Sequence, residues 1–120
     1  MQEHTVKAFD EDITRLRGLI AEMGGLAEVA IDEAMRALVS GDEELAGAVV
    51  ERDRKLDALE VEVDAMAIRV IALRAPMADD LREIIAALKI GGVIERIGDH
   101  ATNVAEMVHF AALGTLPPDR

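Results

Sequence analysis

The stretch FDEDITRLRGLIAEMGGLAEVAIDEA, residues 9–34, decides the fold. From Phe9, apolar side chains recur at Ile13, Leu16, Ile20, Met23, Ala27, Ala30 and Ala34, in alternating steps of four and three. That rhythm is a seven-residue repeat, which lays one apolar stripe along a helix. A second register runs through Leu45, Val49, Leu56, Leu59, Val63, Met66, Val70 and Leu73, interrupted at Arg52. The third is broader, with Leu81, Ile84, Leu88 and Ile90 followed by Ile94, Ile97, Ala101, Val104 and Val108. Scarce β-branched runs and abundant Ala, Leu, Glu and Arg agree with helix throughout.

The breaks between the three registers are short. Ser40-Gly41-Asp42 supplies a glycine to end one helix and an aspartate to cap the next, and Glu43 and Glu44 complement the new helix's positive end. Ala75-Pro76 ends the second helix, because proline pushes the preceding residue out of helical geometry. Asp79-Asp80 favour the start of the third. The predicted helices span about 5–39, 42–74 and 78–113, within one domain over 1–115 and a linker-like tail at 116–120. Roughly thirty residues per helix give a length of about 45 Å. Short turns make the helices antiparallel neighbours, so the fold class is all-α, an elongated up-down-up three-helix bundle. Gly24-Gly25 and Gly91-Gly92 fall inside helical patterns and are expected to mark close backbone packing or a slight bend.

Composition narrows the function. At 120 residues, 51% of them apolar, the chain can bury one real core. Thirteen basic against twenty-four acidic residues leave a net charge of −11, which argues against nucleic acid or an anionic membrane surface as partner. Metal cations or basic protein patches fit better. The absence of cysteine excludes disulfides, thiolate zinc sites and iron–sulfur clusters. Phe9 and Phe110 are the only aromatic residues, so base stacking is unavailable. No stretch approaches the length and apolarity of a membrane span, and Met1-Gln2-Glu3-His4-Thr5 lacks the pattern of a signal peptide. The expectation is a cytoplasmic protein without direct membrane insertion.

Acidic residues carry the chemistry. Asp53, Asp57, Glu60 and Asp64 follow steps of four, three and four, sharing one stripe beside Leu56, Leu59 and Val63. Glu95, Asp99, Asn103 and Glu106 do the same beside Ile94, Ile97 and Ala101. Like charges at i and i+4 repel by a few tenths of a kcal/mol. Two such pairs on facing helices would compose an oxygen-rich site for a hard cation; the alternative is a solvated face that keeps the protein soluble. Arg54 and Lys55 are placed to neutralise the second-helix pair in part, Arg52 to reach another helix, and Arg96 to serve as a salt-bridge partner of Glu95. His4 falls near the chain start, and His100 points about a third of a turn away from Asp99. Glu106-Met107-Val108-His109 has the spacing of di-iron bundles, which use it twice on four helices; here it occurs once. Neither a phosphate loop nor a nucleophile–base arrangement is present, so the chain does not read as an enzyme.

These residues together resemble the first repeat of the PhoU family, bacterial regulators of phosphate uptake. The resemblance rests on Phe9-Asp10 with Met23-Gly24-Gly25, on Asp53-x-x-x-Asp57 followed by Glu60 and Asp64, on Pro76 with Asp80-Leu81-Arg82, and above all on Glu95-Arg96-Ile97-Gly98-Asp99. It implies a three-helix domain of the kind that ordinary members carry twice in tandem. It implies metal ligands at Asp53, Asp57, Glu95 and Asp99, with Glu60, Asp64 and Asn103 as accessory residues. The metal would be iron, zinc, manganese or magnesium. Further implied is an adaptor that restrains a phosphate ABC importer through its ATPase subunit and holds a sensor histidine kinase in its repressing state when phosphate is plentiful. A single repeat leads to the expectation of a homodimer that mimics the tandem. The competing expectations are a carboxylate-bridged metal enzyme that recruits Glu106 and His109, and a metal-free helical scaffold.

Overall fold

The computed structural model describes residues 2–114, with side chains described over 6–112. The expected tail at 116–120 lies outside the described residues. Helices α1 (Gln2–Ser40), α2 (Glu43–Arg74) and α3 (Asp79–Leu113) each pack against the other two. The chain is therefore the expected elongated all-α bundle. With 39, 32 and 35 residues, the helices are roughly 50–60 Å long; α1 runs a few residues beyond the predicted 5–39, and α2 and α3 each begin one residue after the predicted 42 and 78.

The first turn follows its sequence signals. Gly41 adopts φ +71°, and the Gly41 and Asp42 N–H groups both donate to the Ala37 carbonyl, at 2.7 and 3.2 Å. The Asp42 carboxylate accepts from the Leu45 N–H at 3.0 Å and caps α2. In the second turn Ala75 leaves helical geometry for the left-handed region (φ 45°, ψ 51°), while its N–H still donates to the Ile71 carbonyl at 3.1 Å. Ala78, just before α3, also has positive φ, 53°. Each alanine there is strained by about 1 kcal/mol relative to glycine.

Burial on α1 follows the predicted stripe: Ile13, Leu16, Met23, Ala27, Ala30 and Ala34 are buried, Phe9 and Ile20 partly so. On α2, Val49, Leu56, Val63 and Val70 recur every seven residues and are almost wholly enclosed. Leu73 is an exception at 61% exposure, because the stripe rotates away from its neighbours at the helix end. The larger correction is on α3. Ile90 and Ile97, expected in the core, face outward, and the buried line is Ile84, Gly91, Gly98 and Ala105, again every seven residues. Small residues on that line let the neighbouring helices approach. Of the glycine pairs, only Gly91 is in close contact with side chains, those of Ile20, Val63 and Met23; Gly24, Gly25 and Gly92 border open space.

The core is divided along the bundle. One apolar cluster, built on Leu16, Met23, Leu56, Val63 and Ile84, fills the half nearer the α2–α3 turn. A second, dominated by Ala30, Ala34, Ala37, Ala46, Ala101 and Ala105, fills the half nearer the α1–α2 turn. Between them lies a polar layer: the Glu33–Arg52 ion pair, Asp53 and the buried Thr102. Among the described residues, α1 is joined to α2 by the ion pairs Arg52–Glu33, Arg15–Glu62 at 2.9 Å, Arg74–Asp12 at 3.3 Å and Lys55–Glu22 at 3.8 Å. Arg17–Glu83 joins α1 to α3. The α2–α3 seam has only His109–Glu43, 3.4 Å, among the described residues. No described helix is long and apolar enough to cross a membrane.

Candidate metal centre

The α2–α3 seam holds carboxylates where the other seams hold ion pairs. On α2, Leu56 occupies the core line, so Asp53 and Asp57, three before and one after it, flank that line on the side of α3. On α3, buried Gly98 likewise turns Glu95 and Asp99 toward α2. Carboxylate oxygens of Asp53, Asp57 and Asp99 all lie within 4.8 Å of one another. These three form a group able to hold a cation.

Glu95 joins the cluster through Asp99. Burial, then hydrogen bonding to Asp99, then the charges of Asp99, Glu60 and Asp57 raise its carboxyl to about 7. Asp53 is raised to about 6, first by burial, then by the charges of Asp57 and Asp99, with a smaller effect of Glu106. Burial and Asp99 raise Asp57; burial with Asp64, Asp57 and Asp99 raises Glu60. Crowded, partly dehydrated carboxylates hold protons that lone carboxylates would release.

The neighbouring cations do not relieve this crowding. Arg52 turns to Glu33, Arg54 to Glu51 at 3.5 Å, and Lys55 to Glu22. The expected neutralisation by Arg54 and Lys55 therefore fails, because acids on α1 and on the outer face of α2 compete for them; Arg52 does reach another helix. Arg96 forms no ion pair with Glu95 or with any other described residue. Among the described residues, no Lys or Arg pairs with Asp53, Asp57, Glu95 or Asp99. Asp53 Oδ1 is buried without a hydrogen-bond partner. The Thr102 hydroxyl nearby favours ionised Asp53, yet its Oγ1 is also buried and unpartnered, so the two do not complete a bond. An orphaned buried carboxylate oxygen in an all-oxygen group fits a hard cation such as magnesium, manganese or iron better than zinc, which favours nitrogen and sulfur.

Of the accessory residues, Glu60 borders the cluster, and exposed Asp64 reaches it only through its charge on Glu60. Asn103 is exposed, and no contact brings it to the group. His109 pairs with Glu43 in a separate cleft of about 320 Å³, away from the aspartates. His100 lines an apolar groove with Ile31, Met35, Ile97 and Val104. Sequence reasoning did not single out Thr102, Glu33 or the buried role of Gly98. The one signal for the last was the interval of seven from Gly91.

The PhoU domain pattern matches residues 20–108. The chain belongs to the PhoU domain family. This PhoU domain is 55% identical over 105 residues to a phosphate-specific transport system accessory protein PhoU homolog of Zymomonas mobilis, covering 88% of the chain and 44% of that protein. Proteins of the same description in Caulobacter vibrioides and Rhizobium meliloti are 45% and 43% identical over 106 and 114 residues, covering 88% and 95% of the chain. The chain spans 46% and 48% of their lengths, about half in each case.

Proposed function

We propose that this PhoU domain is a cation-dependent regulatory adaptor of phosphate uptake and phosphate-starvation signalling in the cytoplasm. It restrains a phosphate ABC importer through the ATPase subunit and holds a sensor histidine kinase in its repressing state when phosphate is plentiful. Family membership and the accessory role in the relatives' names support this assignment. The observation that carries the cation is the meeting of Asp53, Asp57 and Asp99 with no Lys or Arg paired to them among the described residues. Glu95 completes the ligand set from the same helix turn as Asp99, and Glu60 lends outer charge. Manganese, magnesium or iron matches these oxygen donors.

A second copy of the chain supports the bundle along the α1–α3 groove, forming a homodimer. That groove is lined by Ile31, Ala34, Met35, Ile97, Ala101 and Val104 with His100 at its rim, and is almost purely apolar in a chain of net charge −11. An apolar face of this kind lets two such acidic bundles meet on side chains without charge.

Metal content measured by elemental analysis, on protein purified without a metal-affinity tag and reloaded with manganese, tests the site. The Glu95→Ala/Asp99→Ala variant should lose the bound metal while keeping its helical signal. Unchanged content in that variant removes the assignment and leaves an acidic docking stripe.

A further inference from the structure

Gly98 lies within the acidic seam yet offers no ligand. A Cβ placed on it would come 2.3 Å from Leu56 Cδ2 and 3.3 Å from Asp53 Oδ1. No other glycine of the chain is so confined: Gly91, one repeat earlier on the same line, would meet nothing nearer than 3.4 Å, and Gly92 nothing within 4 Å. The overlap falls on the end of a side chain, which elsewhere would swing aside. Leu56 is 2% exposed, enclosed by the larger core cluster, and has little room to do so. The carboxylate of Asp53 closes the other direction.

We propose that Gly98 is the positioning residue of the acidic cluster. Its missing side chain sets the local α2–α3 distance, and that distance brings Asp53 and Asp57 on one helix to Asp99 on the other. Leu56 acts as the gauge, since it seats directly on the glycine between the two aspartates of its own helix. A methyl group at 98 requires the end of Leu56 to move by about 1 Å to restore ordinary contact, and the enclosed leucine passes that movement to α2. A cation that draws on oxygens from both helices loses its fit with displacements of that size. The role in cation binding rests on the site proposed above; the role in helix spacing does not.

The experiment uses the full chain with two readouts. Manganese affinity is measured by calorimetry at pH 7.5, and the α2–α3 distance by spin labels on Ala58→Cys and Arg96→Cys, both exposed positions in a chain without cysteine. Gly98→Ala should weaken manganese binding by about tenfold or more and lengthen the label distance. Gly98→Ala/Leu56→Ala, which makes room for the methyl group, should recover both, whereas Gly92→Ala should change neither. Far-ultraviolet circular dichroism identifies any variant that has simply unfolded. An unchanged label distance in folded Gly98→Ala, or no recovery in a folded double variant, overturns the proposal. Absence of manganese binding in the unmodified chain would overturn the cation site instead, and the label distances would still decide the role of Gly98.

Discussion

Arg52 and Glu33 form an ion pair that joins α2 to α1 and turns the guanidinium away from adjoining Asp53. Glu33 is only 6% exposed, whereas the Arg52 side chain keeps 41% of its surface in water. Removing the arginine would strand a carboxylate between the two apolar clusters. Arg52→Ala should destabilise the bundle by about 2 kcal/mol, between the values for surface and fully buried pairs. Urea unfolding measures the loss, and Glu33→Gln in the same background should return part of it. A variant as stable as the parent would mean that Glu33 reaches water or takes up a proton.

Stability of the metal-free protein should fall as pH rises through the range of the raised carboxyls. Asp53 moves from 3.8 to about 6 and Glu95 from 4.5 to about 7. The folded state thus binds these protons more tightly than the unfolded state. Their contribution is fully present below pH ~4 and is lost as pH rises through about 6 for Asp53 and about 7 for Glu95. In the presence of EDTA, Asp53→Asn should raise the melting temperature at pH 7.5 and flatten its decline from pH 5. An unaltered pH profile would show that the cluster is less crowded than its geometry implies.

A cation bound by the folded state alone should reverse that loss. At a manganese concentration one hundred times the dissociation constant, the gain is about 2.7 kcal/mol. Because the same oxygens bind protons, affinity should rise steeply between pH 5 and 7. Thermal unfolding at graded manganese reads the gain, and Asp99→Asn should abolish most of it. Equal gains in parent and variant would place the cation elsewhere.

The turn before α3 contains two alanines in a region that glycine favours. Ala75→Gly removes the Cβ conflict at φ 45° and keeps the N–H bond to the Ile71 carbonyl. It should stabilise the protein by about 1 kcal/mol, visible in chemical denaturation. A loss of stability would mean that the greater freedom glycine gives the unfolded chain outweighs the relief.

The homodimer is tested through Met35, which is 49% exposed in the α1–α3 groove. Met35→Glu should convert a dimer at micromolar concentration to a monomer in sedimentation, with the helical content retained. A parent chain that sediments as a monomer throughout would end the pairing model.

The sequence made α1 and α2 legible because their buried lines carry apolar side chains at heptad spacing, from Ile13 to Ala34 and from Val49 to Val70. It misplaced part of α3 because the buried line there holds Gly91 and Gly98, while Ile90 and Ile97, one position away, carry the hydrophobic signal. Intervals of four placed each carboxylate pair on one face of its helix. They did not specify which side chains Arg52 and Lys55 would choose, since that depends on Glu33 and Glu22 of a different helix. Thr102 gave no signal, as its burial follows from the α3 register rather than from its own chemistry.

The acidic seam coincides with the joint between the leucine-rich and alanine-rich halves of the core. Alanine clusters bury little apolar surface, so the half nearer the α1–α2 turn is the weaker one and should open first in local fluctuations. A cation clasped at the joint would resist the parting of α2 and α3 there, coupling the weak half to the strong one. Occupancy would then register as a change in stiffness along the rod, felt at the α1–α2 turn, with little change in its shape.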